Sequence, residues 1–521
     1  MLFNSFIFIF GFLPVAFVAF YAARRAGRLA AMWVLTVASL GFYAVWLPSQ
    51  SWILLVSIVV NYIVGHYIQK FRERSPAIAT TLLCLGLAAN LGNLIYFKYI
   101  MFILYNTNRF LETDFVVPHI ILPLGISFFT FQKIAYLVDC ARGEAKNTTV
   151  SEFALFAAFF PQLISGPIVH HKEIIPQFRK PTFGRLRWSN VLVGLSIFSI
   201  GLFKKTVIAD TLSAYFSPTY KAAVTAGAVD PMTGWLIAVA WTLQVYFDFS
   251  GYSDMAIGLA RMFGVRLPLN FHSPLRAASI TDYWRRWHMS LQRFVVSYIF
   301  QPLAVPLNRL AAKYNTRGWP AFAMTVAAPS FITFFVLGVW HGAGWNYVVF
   351  GLMSGAYISI NEAYREMKRR RRRTLRQLGK PAPEEGPLRL TFYHVLTLVC
   401  ALTANMFFRA GSLHEGVMIA RGMWGLNGFR SNPALAGLAT PGFVAALVVA
   451  TLIVAFLPNT QQIMRNYRPA VNWSLWRDVG RPVLTWTWRP TLPNLLYISI
   501  AFFLGVEFIQ RGSEIFVYFN F

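Results

Sequence analysis

Two histidines sit where acyl-transfer chemistry could take place. His341 follows the strongly apolar run 331–340 and lies in the segment 339–345, VWHGAGW. Gly342 and Gly344 beside it leave room for a substrate or another backbone to approach. His288 lies in 281–291, TDYWRRWHMSL, framed by Tyr283, Trp284 and Trp287. In a covered, water-poor cavity a neutral imidazole can take the proton from a hydroxyl as it attacks a thioester. A lone intramembrane histidine can instead bond a backbone carbonyl. The Arg- and Trp-rich run around His288 also suits an amphipathic helix at the membrane interface. The chain has no GxSxG elbow, P-loop, GxGxxG or HExxH to direct the reading elsewhere.

Ionisable or polar groups inside apolar stretches are costly and so become functional candidates. Residues 122–132, LPLGISFFTFQ, combine Pro123 and Gly125, which can kink a helix, with Ser127, Thr130 and Gln132. Residues 159–168, FFPQLISGPI, carry Pro161, Gly166 and Pro167 and cannot form a straight helix. They predict a broken or re-entrant segment. His170 and His171 follow it, and on a helix they would point about 100° apart, a poor metal pair. In 244–258, QVYFDFSGYSDMAIG, Asp248 and Asp254 would lie about 120° apart on a helix. They belong either to a substrate site or to a packing network partnered by Arg261 or Arg266. Lys204, Lys205, Arg285 and Arg286 are candidates to meet an anionic donor. Cys84, Cys140 and Cys400 are far apart and show neither metal nor disulfide spacing. No metal and no bound cofactor is expected.

The elements that must hold these residues are membrane helices. Hydrophobic residues make up 56% of the 521 and charged residues 13%, about half the share of a soluble protein. Aromatic residues reach 17%, as lipid-facing helices with interfacial belts require. The net charge of +27 would suit nucleic-acid binding in a soluble chain, but no such motif accompanies it. The basic residues fall between apolar segments, the pattern of the positive-inside bias. About 11 to 13 spans are expected, with short or Pro-containing segments such as 98–108 and 292–306 re-entrant or interfacial. Residues 1–23 lack a basic region before the apolar run, with Arg24, Arg25 and Arg28 after it. They read as a first span whose N-terminus lies outside the cytoplasm, not as a signal peptide. The stretch 365–390, with KRRRRR at 368–373, reads as a partly disordered cytoplasmic loop. Counting spans onward places both termini on the periplasmic side. No internal repeat is visible, which weakens a transporter reading.

The motifs LPLGISFFTFQ, FFPQLISGPI, QVYFDFSGYSDMAIG, NFHSPL (270–275), WRRWHMSL (284–291), VWHGAGW, MFFRA (406–410) and LPNTQQIM (457–464) occur in order along nearly the whole chain. Together they resemble the membrane-bound O-acyltransferase (MBOAT) family, in its bacterial alginate O-acetyltransferase branch. The resemblance implies an all-α polytopic fold in one domain, 1–521, with helices around a central funnel and tunnel. It places the family's active-site histidines on His341 and His288. It implies acetyl-CoA as cytoplasmic donor and an exported polysaccharide, alginate, as acceptor. A periplasmic partner of the SGNH-hydrolase type would complete the transfer at a bacterial inner membrane. The ending FVYFNF, 516–521, in the tail 510–521, fits an FxYxxF motif of the related teichoic-acid D-alanylation system. That match implies Tyr518 as an acyl carrier. The readings held against these are another acceptor polymer (peptidoglycan, cellulose or a capsule sugar), a transporter or flippase using Asp248 and Asp254, and a structural subunit.

Overall fold

The computed structural model describes residues 1–46, 48–381, 384–428 and 440–510. The regular elements among them are helices, with one isolated parallel bridge, Pro268 to Val471. Seven helical runs are long and apolar enough to cross a membrane: Ile7–Ala26, Pro48–Phe71, Pro76–Leu111, Trp188–Ala226, Gly318–His341, Pro387–Arg409 and Leu492–Gln510. Arg28–Ala44 and Pro441–Phe456 are shorter apolar helices. The rest of the expected set differs for physical reasons. Segments 78–97 and 98–108 merge into the single run Pro76–Leu111. Segment 152–168 breaks, as its prolines predict, into Val150–Ala158 and Phe160–Leu163, both buried. The 32-residue helix Pro231–Met262 is buried along most of its length and carries Asp248, Asp254 and Arg261. A helix sheathed by protein tolerates charge that a lipid-facing one does not.

The packing that matters most joins Trp188–Phe203 to Pro231–Met262. Gly194 faces Gly258 and Gly201 faces Gly251. A β-carbon at Gly194 would lie 2.6 Å from the Gly258 carbonyl, and one at Gly201 2.7 Å from the Gly251 carbonyl. Small residues seven apart let the two backbones touch. The same device closes the hairpin of Ala328–His341 and Trp345–Gln377, where a β-carbon at Gly338 would lie 2.7 Å from the Gly351 Cα. That close crossing fixes the loop 342–344, next to His341.

Trp345–Gln377 runs for 33 residues, about 50 Å at helical rise. The expectation of a partly disordered loop from residue 365 is therefore corrected. The basic run stays helical through Gln377 because Arg and Lys are good helix formers. Pairs between Glu362 and Arg365 and between Glu366 and Arg370 also tie successive turns together.

Candidate active site

His341 ends its helix and is buried, with the rings of Trp340 at 4.8 Å, Phe408 at 5.0 Å and Phe350 at 5.7 Å. The last carbonyls of a helix lack intrahelical donors, and here neighbouring side chains supply them. Lys98 Nζ donates to the carbonyls of Trp340 (2.5 Å) and His341 (3.2 Å), and the Tyr99 hydroxyl to that of Val339 (3.0 Å). Asn346 Nδ2 donates to the carbonyls of Phe407 and Ala410, which joins VWHGAGW to MFFRA. Lys98 was not singled out from the sequence, although a cation inside an apolar run was a visible signal.

His288 sits between the short helices Ile280–Arg286 and Met289–Val295 in a left-handed conformation, φ 44°. Phe249 meets its ring edge-on at 4.7 Å, and Phe128 stacks at 6.3 Å. Phe128 also touches Trp340, at 5.8 Å, the ring beside His341, so the two histidines share one aromatic neighbourhood.

Three cavities border the surrounding segments. A small one, about 70 Å³, is lined by Lys98, Ser127, Phe128, Ser165, Trp340 and His341. A second, about 270 Å³ and mostly apolar, is lined by Trp284, His288, Thr333 and Leu337 among others. A third, about 800 Å³, shares Thr281 with the second and is rimmed by Arg285, Arg365 and Lys368. Thr281 thus lines both the large cavity and the one that borders His288.

The other candidates separate. Of the four cations, Arg285 lines the large cavity, with its guanidinium over Trp476. Arg286 turns to Asp282 at 2.8 Å. Lys205 and Asp248 face each other and line none of these cavities. Lys205 is 2% exposed and lies 2.7 Å from Asp210 and 2.8 Å from Asp248, itself 1% exposed. Lys204 pairs with Asp254 at 2.8 Å. The glycine contacts bring these helices so close that both lysines meet carboxylates across the crossing. The partners of Asp254 and Asp248 in this network are Lys204 and Lys205, not Arg261 or Arg266. Thr460 and Gln461, from LPNTQQIM, complete the shell of Asp254 at 2.6 Å each. Gln132 is buried on Ile126–Arg142 and borders neither histidine cavity. His171 lies 3.1 Å from Asp139, and Tyr298 joins Asp139 to His170. Among the described residues no group of three or more His, Cys, Asp or Glu could hold a metal ion. Tyr518 lies outside the described residues.

The connection 464–491 is clamped to the segment NFHSPL at His272. His272 Nε2 donates to the Val479 carbonyl at 2.8 Å, and Asn459 donates to Ser273. Burial pulls His272 down to about 4, so at neutral pH this clamp is an uncharged ring.

A helical membrane fold with two buried histidines among shared aromatic rings defines a class. The chain belongs to the membrane-bound O-acyltransferase (MBOAT) family, which it matches over residues 78–380. It is a multi-pass membrane acyltransferase. The chain is similar to the peptidoglycan O-acetyltransferase of Helicobacter pylori, 37% identical over 82% of this chain and 80% of that one. It is also similar to the probable alginate O-acetylase AlgI of Pseudomonas putida, 32% identical over the whole of both chains. The teichoic acid D-alanyltransferase of Streptococcus thermophilus is 29% identical over 50% of this chain and 62% of that one.

Proposed function

We propose that this enzyme takes acetyl from cytoplasmic acetyl-CoA and passes it across a bacterial inner membrane for O-acetylation of an exported polysaccharide. The observation that carries the reading is the pair of buried histidines linked through Phe128 and Trp340, each bordering its own cavity. The basic extension of Trp345–Gln377 belongs in the cytoplasm. Lys368 and Trp345 lie about 35 Å apart along that helix, more than the bilayer core of about 30 Å. The large cavity beside Lys368 then opens to the cytoplasm, and the small one beside His341 belongs to the opposite side. Arg285, Arg365 and Lys368 face the donor's phosphates. The apolar passage by His288 receives the thioester arm.

In this reading His341 takes the phenolic proton of Tyr518. The phenol oxygen attacks the thioester carbonyl carbon, a C–O bond forms, the C–S bond breaks, and the CoA thiolate leaves and takes a proton. The phenyl ester carries a good leaving group, the phenolate, so a serine of an SGNH-type periplasmic partner can receive the acetyl group while the phenol takes back a proton. Both termini lie outside the cytoplasm, which puts Tyr518 on the acceptor side. Alginate is the acceptor of this reading. Peptidoglycan is the second, favoured by the similarity to the Helicobacter pylori enzyme.

The test is purified protein with labelled acetyl-CoA. Label should appear on the protein and map to Tyr518 by mass spectrometry. Tyr518→Phe keeps the ring and removes only the oxygen. It should accumulate normally in membranes and lose both the label and polymer acetylation. Normal acetylation by Tyr518→Phe would end the carrier role. On the donor side, Arg285→Gln combined with Arg365→Gln should raise KM for acetyl-CoA about tenfold or more through lost charge-assisted bonds. The salt dependence of KM should flatten as well. An unchanged KM across salt concentrations would place the donor's phosphates elsewhere.

A further inference from the structure

We infer that Asn270 is a positioning residue for His288: it holds the ring in the tautomer protonated at Nδ1 and leaves Nε2 as the basic nitrogen. The inference rests on the reading that His288 takes part in the transfer. Asn270 Oδ1 lies 3.0 Å from His288 Nδ1. The same oxygen accepts from the Ser290 hydroxyl at 2.8 Å and from the Ser290 backbone N–H at 3.4 Å. A backbone N–H can only donate, so the atom it meets is the carbonyl oxygen and not the amide nitrogen. The opposite orientation of the amide is thereby excluded. Asn270 Nδ2 donates to Ser253 Oγ at 2.9 Å. The Ser290 hydroxyl accepts from the Ile168 N–H at 2.9 Å, so its own hydrogen is available to Asn270. Every neighbour of Oδ1 is then a donor, and the imidazole nitrogen facing it must carry a hydrogen. The partner of one ring nitrogen sets the state of the other, which makes Nε2 the lone-pair atom of a ring that borders the 270 Å³ cavity.

The backbone adds a second hold. Met289 N–H donates to the Asn270 carbonyl at 2.9 Å, and His272 N–H to the Arg286 carbonyl at 3.0 Å. These two bonds bracket His288 and keep it in its left-handed turn. Asn270 is buried, 1% exposed. It contributes through His288 and touches no substrate.

The experiment compares Asn270→Leu, Asn270→Asp and His288→Ala in acetyl-transfer assays on membranes, with kcat and KM for acetyl-CoA followed across pH. Asn270→Leu should lower kcat about ten- to a hundredfold with KM within about twofold, as outer partners of a functional histidine do. Asn270→Asp keeps the acceptor oxygen and should recover most of that loss. Its added negative charge favours the protonated imidazole, so the acidic limb of its kcat profile should move to higher pH. A role confined to packing would lower protein yield and leave that limb in place, and an unmoved limb for Asn270→Asp overturns the inference. If Asn270→Leu does not accumulate, the Asn270→Asp profile decides alone. If His288→Ala itself transfers acetyl normally, the failure lies in the role of His288. If His288→Ala is impaired while both Asn270 variants behave as wild type, the failure lies with Asn270.

Discussion

His341→Ala is expected to lower acetyl transfer by about 10²–10⁴-fold, the usual loss with a general base, while the protein still inserts and accumulates. The structure explains why the two effects separate. The helix end at His341 is held by Lys98, Tyr99 and the Gly338–Gly351 crossing, and none of these contacts uses the imidazole. Removing the ring leaves a gap among Trp340, Phe350 and Phe408 without unfastening the backbone. The measurement is turnover of labelled acetyl-CoA in membranes, beside the thermal midpoint of the detergent-solubilised protein. Near wild-type turnover with His341→Ala would remove this residue from the chemistry.

The second large effect is on stability. Lys205→Met should destabilise the fold by about 3–5 kcal/mol, because it leaves Asp210 and Asp248 buried together without their shared cation. Restoring neutrality with Lys205→Met, Asp210→Asn and Asp248→Asn together should recover much of that loss, since a neutral buried cluster carries no uncompensated charge. Thermal midpoints of the single and triple variants in one detergent make the comparison. If Lys205→Met kept the wild-type midpoint and instead raised KM for acetyl-CoA, the lysine would be a donor ligand after all, and the ion pairs incidental to stability.

The two histidines illustrate what could be read from the chain before its fold. Each stood beside residues whose composition was unusual by itself, paired glycines for His341 and five aromatic or Arg neighbours for His288. Their surroundings survive folding because the glycine, tryptophan and histidine of VWHGAGW are local to one loop. The prolines of 159–168 were equally local in effect, and the segment breaks where they stand. The carboxylate partners of Lys204 and Lys205 were not legible for the opposite reason. They lie about 40 to 50 residues away on a second helix, with Asp210 the near exception, and helical phase within one segment says nothing about what crosses it.

Composition, charge placement and ordered motifs were enough to determine a helical membrane acyltransferase with His341 and His288 as its candidate site, because apolar length, basic flanks and short motifs are properties of contiguous chain. Only the tertiary structure decided which cations stay accessible, Arg285 and not Lys205, and that Asn270 holds His288. It also decided that LPNTQQIM closes over Asp254. The lysine pairings depend on residues far apart in sequence, brought to hydrogen-bond distance by glycine-mediated helix crossings. In a low-dielectric interior each buried charge must find its counter-charge, and only the packed arrangement specifies which one it finds.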